Sequence, residues 1–174
     1  MLSGRDQLVS LFDELTNELS TLGVEADVVM VGGAWMLWHE QRASTFDVEP
    51  GRRFETDLSD LVARVGARHG IRRDWLNDAG AAFWPTGASY DDCGTVYERG
   101  GLLVRAPDPE VIFVMKLYRA DLQDREDLIS LWRLCGFANP SDAVAAFIRA
   151  YPHAPDDEHL ADYIAEIVRD AKAG

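Results

Sequence analysis

Residues 27–33 read Asp27-Val28-Val29-Met30-Val31-Gly32-Gly33, and after thirteen intervening residues comes Asp47-Val48-Glu49. The first run is apolar and β-branched, so it reads as a buried strand. The glycine pair turns the chain, the stretch from Ala34 to Gln41 follows with helical character, and a second, acidic strand comes after it. Side chains at i and i+2 of a strand leave on the same face. Asp47 and Glu49 would therefore project together while Val48 turns into the core.

That order has a chemical meaning. Two carboxylates on one strand edge suit Mg²⁺, a hard cation that takes a few carboxylates and completes its shell with water and phosphate oxygens. A glycine pair between strand and helix lets a phosphate approach the backbone, and the following helix presents unpaired N–H groups. The bland alternative is a tight turn followed by a solvated strand end. The conjunction of ordered elements favours a nucleotide site.

Outward from this stretch the periodicities alternate. Leu8, Leu11, Phe12, Leu15, Leu19 and Leu22 recur at three- and four-residue steps, which predicts a helix closed by Gly23. Thr56 is a candidate N-cap for a helix carrying Leu58, Leu61, Val62 and Val65 on its buried side up to about His69. Thr95-Val96-Tyr97-Glu98 and Leu102-Leu103-Val104-Arg105 read as a hairpin turned by Gly100-Gly101. Within residues 74–94, Trp75 and Trp84 are expected in the core.

From Pro107 onward every segment is helical in pattern. Asp108-Pro109-Glu110 opens a helix with a capping aspartate and proline in its first turn, and Val111, Ile112, Val114, Met115 and Leu117 line its apolar side. Asn139-Pro140 opens another, with Val144, Ala145, Phe147 and Ile148 inward. Pro155-Asp156 precedes a last one carrying Leu160, Tyr163, Ile164, Ile167 and Val168. The reading is an α/β fold: a mixed sheet flanked by helices over residues 1–106, and C-terminal helices packed on that core over residues 107–174.

Composition sets outer limits. The chain has 174 residues, 47% hydrophobic and 27% charged, which is ordinary for a globular protein with one core. No apolar run of about 18 residues predicts a membrane span, and no signal peptide is visible at the N-terminus, so the cytoplasm is the expected compartment. Cys93 and Cys135 are too few for a disulfide framework or a zinc cluster. With 17 Lys+Arg against 30 Asp+Glu the net charge is −13, and general binding to duplex DNA is disfavoured. Arg52, Arg53, Arg64, Arg68, Arg72 and Arg73 could steer an RNA end, or simply form a solvated face balanced by nearby acids.

The spacing resembles the nucleotidyltransferase superfamily of the polymerase beta type, whose signature is a hydrophobic residue, Gly-Gly or Gly-Ser, about a dozen residues, then acid–hydrophobic–acid. Gly32-Gly33-Ala34-Trp35, Arg42 to Asp47, Pro109-Glu110-Val111 running into Met115-Lys116-Leu117, and Asp124 to Leu128 together resemble minimal nucleotidyltransferase-like proteins related to AbiEii-type toxins, over roughly residues 27–132. The resemblance implies a nucleotidyltransferase-like fold in which Gly32 and Gly33 cradle a nucleoside triphosphate. It further implies that Asp47 and Glu49 hold Mg²⁺, that Lys116 faces the phosphates, and that Asp127 or Asp124 is the late acidic residue.

The implied reaction is metal-dependent transfer of a nucleoside monophosphate to a hydroxyl on an RNA, such as a tRNA, or on a protein. A cognate antitoxin or regulatory protein is the implied partner. Glu49 stands where Asp is usual, and Gly33 replaces a common serine. A third carboxylate is not obvious: Glu98 is the only acid in the hairpin strands, and Arg105 stands where another was expected. Those departures keep open a non-catalytic relative acting as a binding partner in a toxin–antitoxin or regulatory pair. On the residues alone, Lys116 also reads as a snorkelling lysine and Asp124 as a helix-dipole charge.

Overall fold

Gly23 stops the first helix as its sequence position implies: it takes φ +65°, and its N–H caps the carbonyls of Leu19 and Ser20. In the computed structural model, which describes residues 1–53 and 58–173, this helix α1 spans Arg5–Leu22. Leu8, Leu11, Phe12, Leu15 and Leu19 are fully buried, but Leu22, the last residue before the cap, is 59% exposed. A short β1 (Leu2–Ser3) precedes α1 and pairs antiparallel with β3 (Ser44–Thr45).

The chain divides into two units, Met1–Ala82 with Tyr90–Pro107, and Phe83–Ser89 with Asp108–Gly174. The first is α/β. Its sheet has the order β4-β2-β6-β5, with β2 at Ala26–Val31, β4 at Glu49–Pro50, β5 at Gly94–Arg99 and β6 at Leu102–Ala106. β2 and β6 are parallel, and the two outer pairings are antiparallel. The sheet is thus mixed, and β5 and β6 form the expected hairpin, with Gly100 at φ +54°.

Alternation along the strands divides their side chains. Val28 and Met30 of β2 and Leu102 and Val104 of β6 join α1 and helix α3 (Ser59–Arg68) in one core. Burying each large apolar side chain is worth about 1.5–3 kcal/mol. Asp27, Val29 and Val31, with Leu103 and Arg105, take the opposite face. Glu49 is the register partner of Val31, so it shares that second face. Leu61, Val62 and Val65 of α3 are buried as their spacing implies; Thr56 lies outside the described residues.

The second unit is helical: α4 (Pro109–Arg119), α5 (Arg125–Trp132), α6 (Pro140–Ala150) and α7 (Leu160–Ala173). The segment Phe83–Ser89 belongs to it through Thr86 N–H donating to the Ala150 carbonyl at 2.8 Å and the Tyr151 hydroxyl donating to the Phe83 carbonyl at 2.6 Å. Asn139 caps α6 by accepting from the amides of Ser141 and Asp142. Asp108 occupies the cap position of α4, yet among the described residues its side chain makes no cap hydrogen bond, and Pro109 supplies the helix start.

Three apolar expectations need correction here. On α6, Ala143 and Ala150 are buried, while Ala145 is exposed and Ile148 is 58% exposed, because the buried stripe follows the small residues rather than the large ones. Trp84 is half-buried, its indole N–H donating to the Ala88 carbonyl at 3.0 Å within its own turn. Trp75, by contrast, is fully buried and donates to the Val62 carbonyl at 2.9 Å. No helix among the described residues is long and apolar enough to cross a membrane.

Candidate functional site

The strand β2 ends at Val31, and helix α2 (Gly32–Trp38) begins at once. Gly32 makes that turn at φ +61°, a conformation side chains resist. A Cβ there would also stand 2.5 Å from Oε2 of Glu49. The Glu49 carboxylate therefore lies directly on the glycine turn, brought there by the Val31–Glu49 pairing of β2 and β4. Gly33 is equally crowded: a Cβ would meet the Thr45 hydroxyl, and the Arg42 guanidinium would lie 3.0 Å away. The stretch expected to be helical to Gln41 stops at Trp38, where His39 stacks on Trp35 at 3.9 Å.

Asp47 and Glu49 flank Val48, which is fully buried. The ladder to β2 includes only Glu49 and Pro50, so Asp47 gains its backbone support elsewhere. Val48 forms a parallel bridge with Leu76, its N–H donating to the Trp75 carbonyl at 2.6 Å and its carbonyl accepting from the Asn77 N–H at 3.2 Å. The Asn77 side-chain amide then donates to Oδ2 of Asp47 at 3.2 Å. Farther along, a Cβ on Gly80 would stand 2.7 Å from Val31, 2.8 Å from the Pro50 carbonyl and 3.3 Å from the Glu49 Cβ, so the chain from 77 to 80 closes over this face. A cavity of about 670 Å³ beside Asn77 and Asp78 is lined by Leu58, Val62 and Leu76, and not by Asp47, Glu49 or the glycine turn.

The donor set of Asp47 and Glu49 is all oxygen and half-exposed, which fits a cation that retains water and phosphate ligands. Among the described residues no group of three or more His, Cys, Asp or Glu side chains is arranged to hold a metal ion. Glu98 is exposed on β5. Arg105, opposite Val29 in the ladder, pairs with Asp27 at 3.4 Å and Asp91 at 3.7 Å. Among the described residues, Oδ1 of Asp27 and Nε of Arg105 are buried without a hydrogen-bond partner.

Lys116, Asp124 and Asp127 belong to the helical unit. Lys116 is 5% exposed, and its ammonium donates to Oδ1 of Asp124 at 2.6 Å and Oδ2 of Asp127 at 2.7 Å. Asp124 is thus a buried ion-pair partner, not a surface charge serving the helix dipole. Four of the six arginines beyond the acidic doublet have carboxylate partners among the described residues: Arg64 and Arg68 with Glu18, Arg68 with Glu14, Arg72 with Asp74, and Arg52 with Asp27. Burial, aided by Glu110, pushes the Cys135 thiol up to about 12, which makes it a poor nucleophile at neutral pH.

From the sequence alone, Arg42, Thr45 and the Trp75-Leu76-Asn77-Asp78 element have no role. Their signal is positional: Arg42 and Thr45 lie between the glycine pair and the acids, and a tryptophan that must be buried directly precedes Leu76-Asn77. In comparisons with known proteins, no family model matches the chain, and no match was found among curated proteins or solved structures.

Proposed function

We propose that this protein is a nucleotidyltransferase-like enzyme that moves a nucleoside monophosphate from a nucleoside triphosphate to a hydroxyl on an RNA or protein, with Mg²⁺ at Asp47 and Glu49. The observation that supports the reading is the seat of the Glu49 carboxylate on Gly32, which puts one acid of the doublet at the glycine turn.

In this reaction the acceptor oxygen attacks the α-phosphorus, the bond to the bridging oxygen breaks, pyrophosphate leaves, and the acceptor proton passes to water. A bound metal would supply charge neutralisation at the attacking and leaving oxygens. The protein's part is placement. Gly32 and Gly33 keep side chains off the turn, Arg42 lies against Gly33 and would meet phosphate oxygens, and Asp47 and Glu49 orient the cation.

The test is incubation of the purified chain with Mg²⁺, each α-labelled nucleoside triphosphate and total tRNA or protein as acceptor. Label transfer that disappears in a folded Asp47→Ala variant supports the reading; transfer retained by that variant removes Asp47 from the mechanism. A second reading, a non-catalytic binding module in a toxin–antitoxin or regulatory pair, draws support from Arg105, which is ion-paired where a third carboxylate was expected. Calorimetry separates the two: the binding module takes up nucleoside triphosphates weakly or without dependence on Mg²⁺.

A further inference from the structure

We propose that Asn77 is a positioning residue, whose side-chain amide holds one oxygen of Asp47 and so aims the other at the cation of the transfer reaction. The inference rests on the function proposed above and assigns a role to the Trp75-Leu76-Asn77-Asp78 element.

The amide is fully committed. Oδ1 of Asn77 accepts from the Ala79 N–H at 3.1 Å, while Nδ2 donates to the Asp74 carbonyl at 3.2 Å and to Oδ2 of Asp47 at 3.2 Å. Turning it over would place its oxygen against two acceptors and its N–H₂ against a donor, so the network admits one orientation. The backbone on either side is equally fixed. Trp75 is fully buried and tied to Val62, Leu76 is 4% exposed, and the Asn77 N–H donates to the Val48 carbonyl. Asn77 is therefore a rigid donor on a rigid element.

Asp47 lies just outside the ladder to β2, and its carboxylate torsion is soft. A hydrogen bond from a fixed amide removes that freedom and uses one oxygen, leaving Oδ1 for a ligand. Partners of this kind behind a metal-binding carboxylate typically account for 10–100-fold in metal affinity or activity. A residue with only a structural role would alter stability and leave the affinity alone.

Asn77→Ser separates the two roles, because its hydroxyl can still accept from the Ala79 N–H but is too short to serve Asp47. Mn²⁺ binding is followed by electron paramagnetic resonance without nucleotide, alongside the Mg²⁺ dependence of transfer and the thermal midpoint. The expected result is a roughly 10–100-fold weaker Mn²⁺ affinity and a matching rise in the Mg²⁺ needed for transfer, with native-like circular dichroism. Unchanged Mn²⁺ affinity and Mg²⁺ dependence in the folded variant overturns the role.

A wild-type protein that binds Mn²⁺ without transferring nucleotide defeats the enzyme reading alone, and the Asn77→Ser affinity still decides the positioning. A wild-type protein that binds no Mn²⁺ defeats the positioning, since there is no cation to aim at. Should Asn77→Ser fail to fold, the ¹H–¹⁵N signal of the Asn77 side-chain amide in the wild-type protein decides instead: movement on adding Mg²⁺ that is absent in Asp47→Ala supports the role, and no movement overturns it.

Discussion

Lys116 donates to Asp124 across 2.6 Å with both residues 5% exposed, and Asp127 takes a second hydrogen bond from the same ammonium. Two carboxylates accept from one ammonium, and among the described residues Oδ2 of Asp124 is buried without a hydrogen-bond partner.

Lys116→Met is expected to destabilise the helical unit by about 3–5 kcal/mol, because it removes the buried ammonium from which both carboxylates accept a hydrogen bond. Replacing either carboxylate by its amide is expected to cost less, since Lys116 keeps one partner. Urea unfolding of the three variants checks this; equal losses would mean that the ion cluster does not govern the stability of this unit.

Gly32→Ala introduces a methyl group at φ +61° and 2.5 Å from Oε2 of Glu49. The expected cost is about 1–3 kcal/mol from backbone strain alone, with a further loss from displacing the carboxylate. Glu49→Ala in the same chain removes the second part and leaves the first. A double-mutant cycle on unfolding free energy is therefore expected to show coupling. Strict additivity would place Glu49 away from the turn.

Three carboxylates on α1 give the α/β unit an acid-sensitive edge. Hydrogen bonds from Tyr97 and Arg99 hold Asp13 below its ordinary value of 3.8, and Glu14 and Glu18 lie below 4.5 through hydrogen bonds led by Arg68 and Arg64 respectively. A depressed folded-state value means that the stabilisation is complete above these ordinary values and is lost as pH falls through the lowered ones. Arg68→Met is therefore expected to lower the urea midpoint at pH 7 and to converge on the wild-type curve as the pH falls through the lowered values of Glu14 and Glu18. Because the pairs are exposed, added salt should shrink the pH 7 difference. A gap independent of pH would assign the Arg68 effect to packing of its stem.

How much of the architecture is legible in advance follows from which interactions are local. The α1 stripe, the Gly23 stop, the β5–β6 hairpin and the Asn139 start are written in neighbouring residues, where period and cap chemistry suffice. Ile148 and Trp84 depart from expectation because apolar character alone does not say which of several faces will find a partner. Lys116 could not be assigned between a phosphate and a protein carboxylate, since Asp124 and Asp127 reach it only after α4 and α5 fold back on one another.

The sequence by itself determined the strand, the glycine turn and the alternation that sets Asp47 and Glu49 on either side of a buried Val48, because these depend on backbone stereochemistry and on period-two geometry. Only the tertiary structure decided that Glu49 lies on Gly32 and that Asn77 holds Asp47. Those contacts come from strand register and from a bridge to residues almost thirty positions away, and both depend on how distant apolar groups pack together.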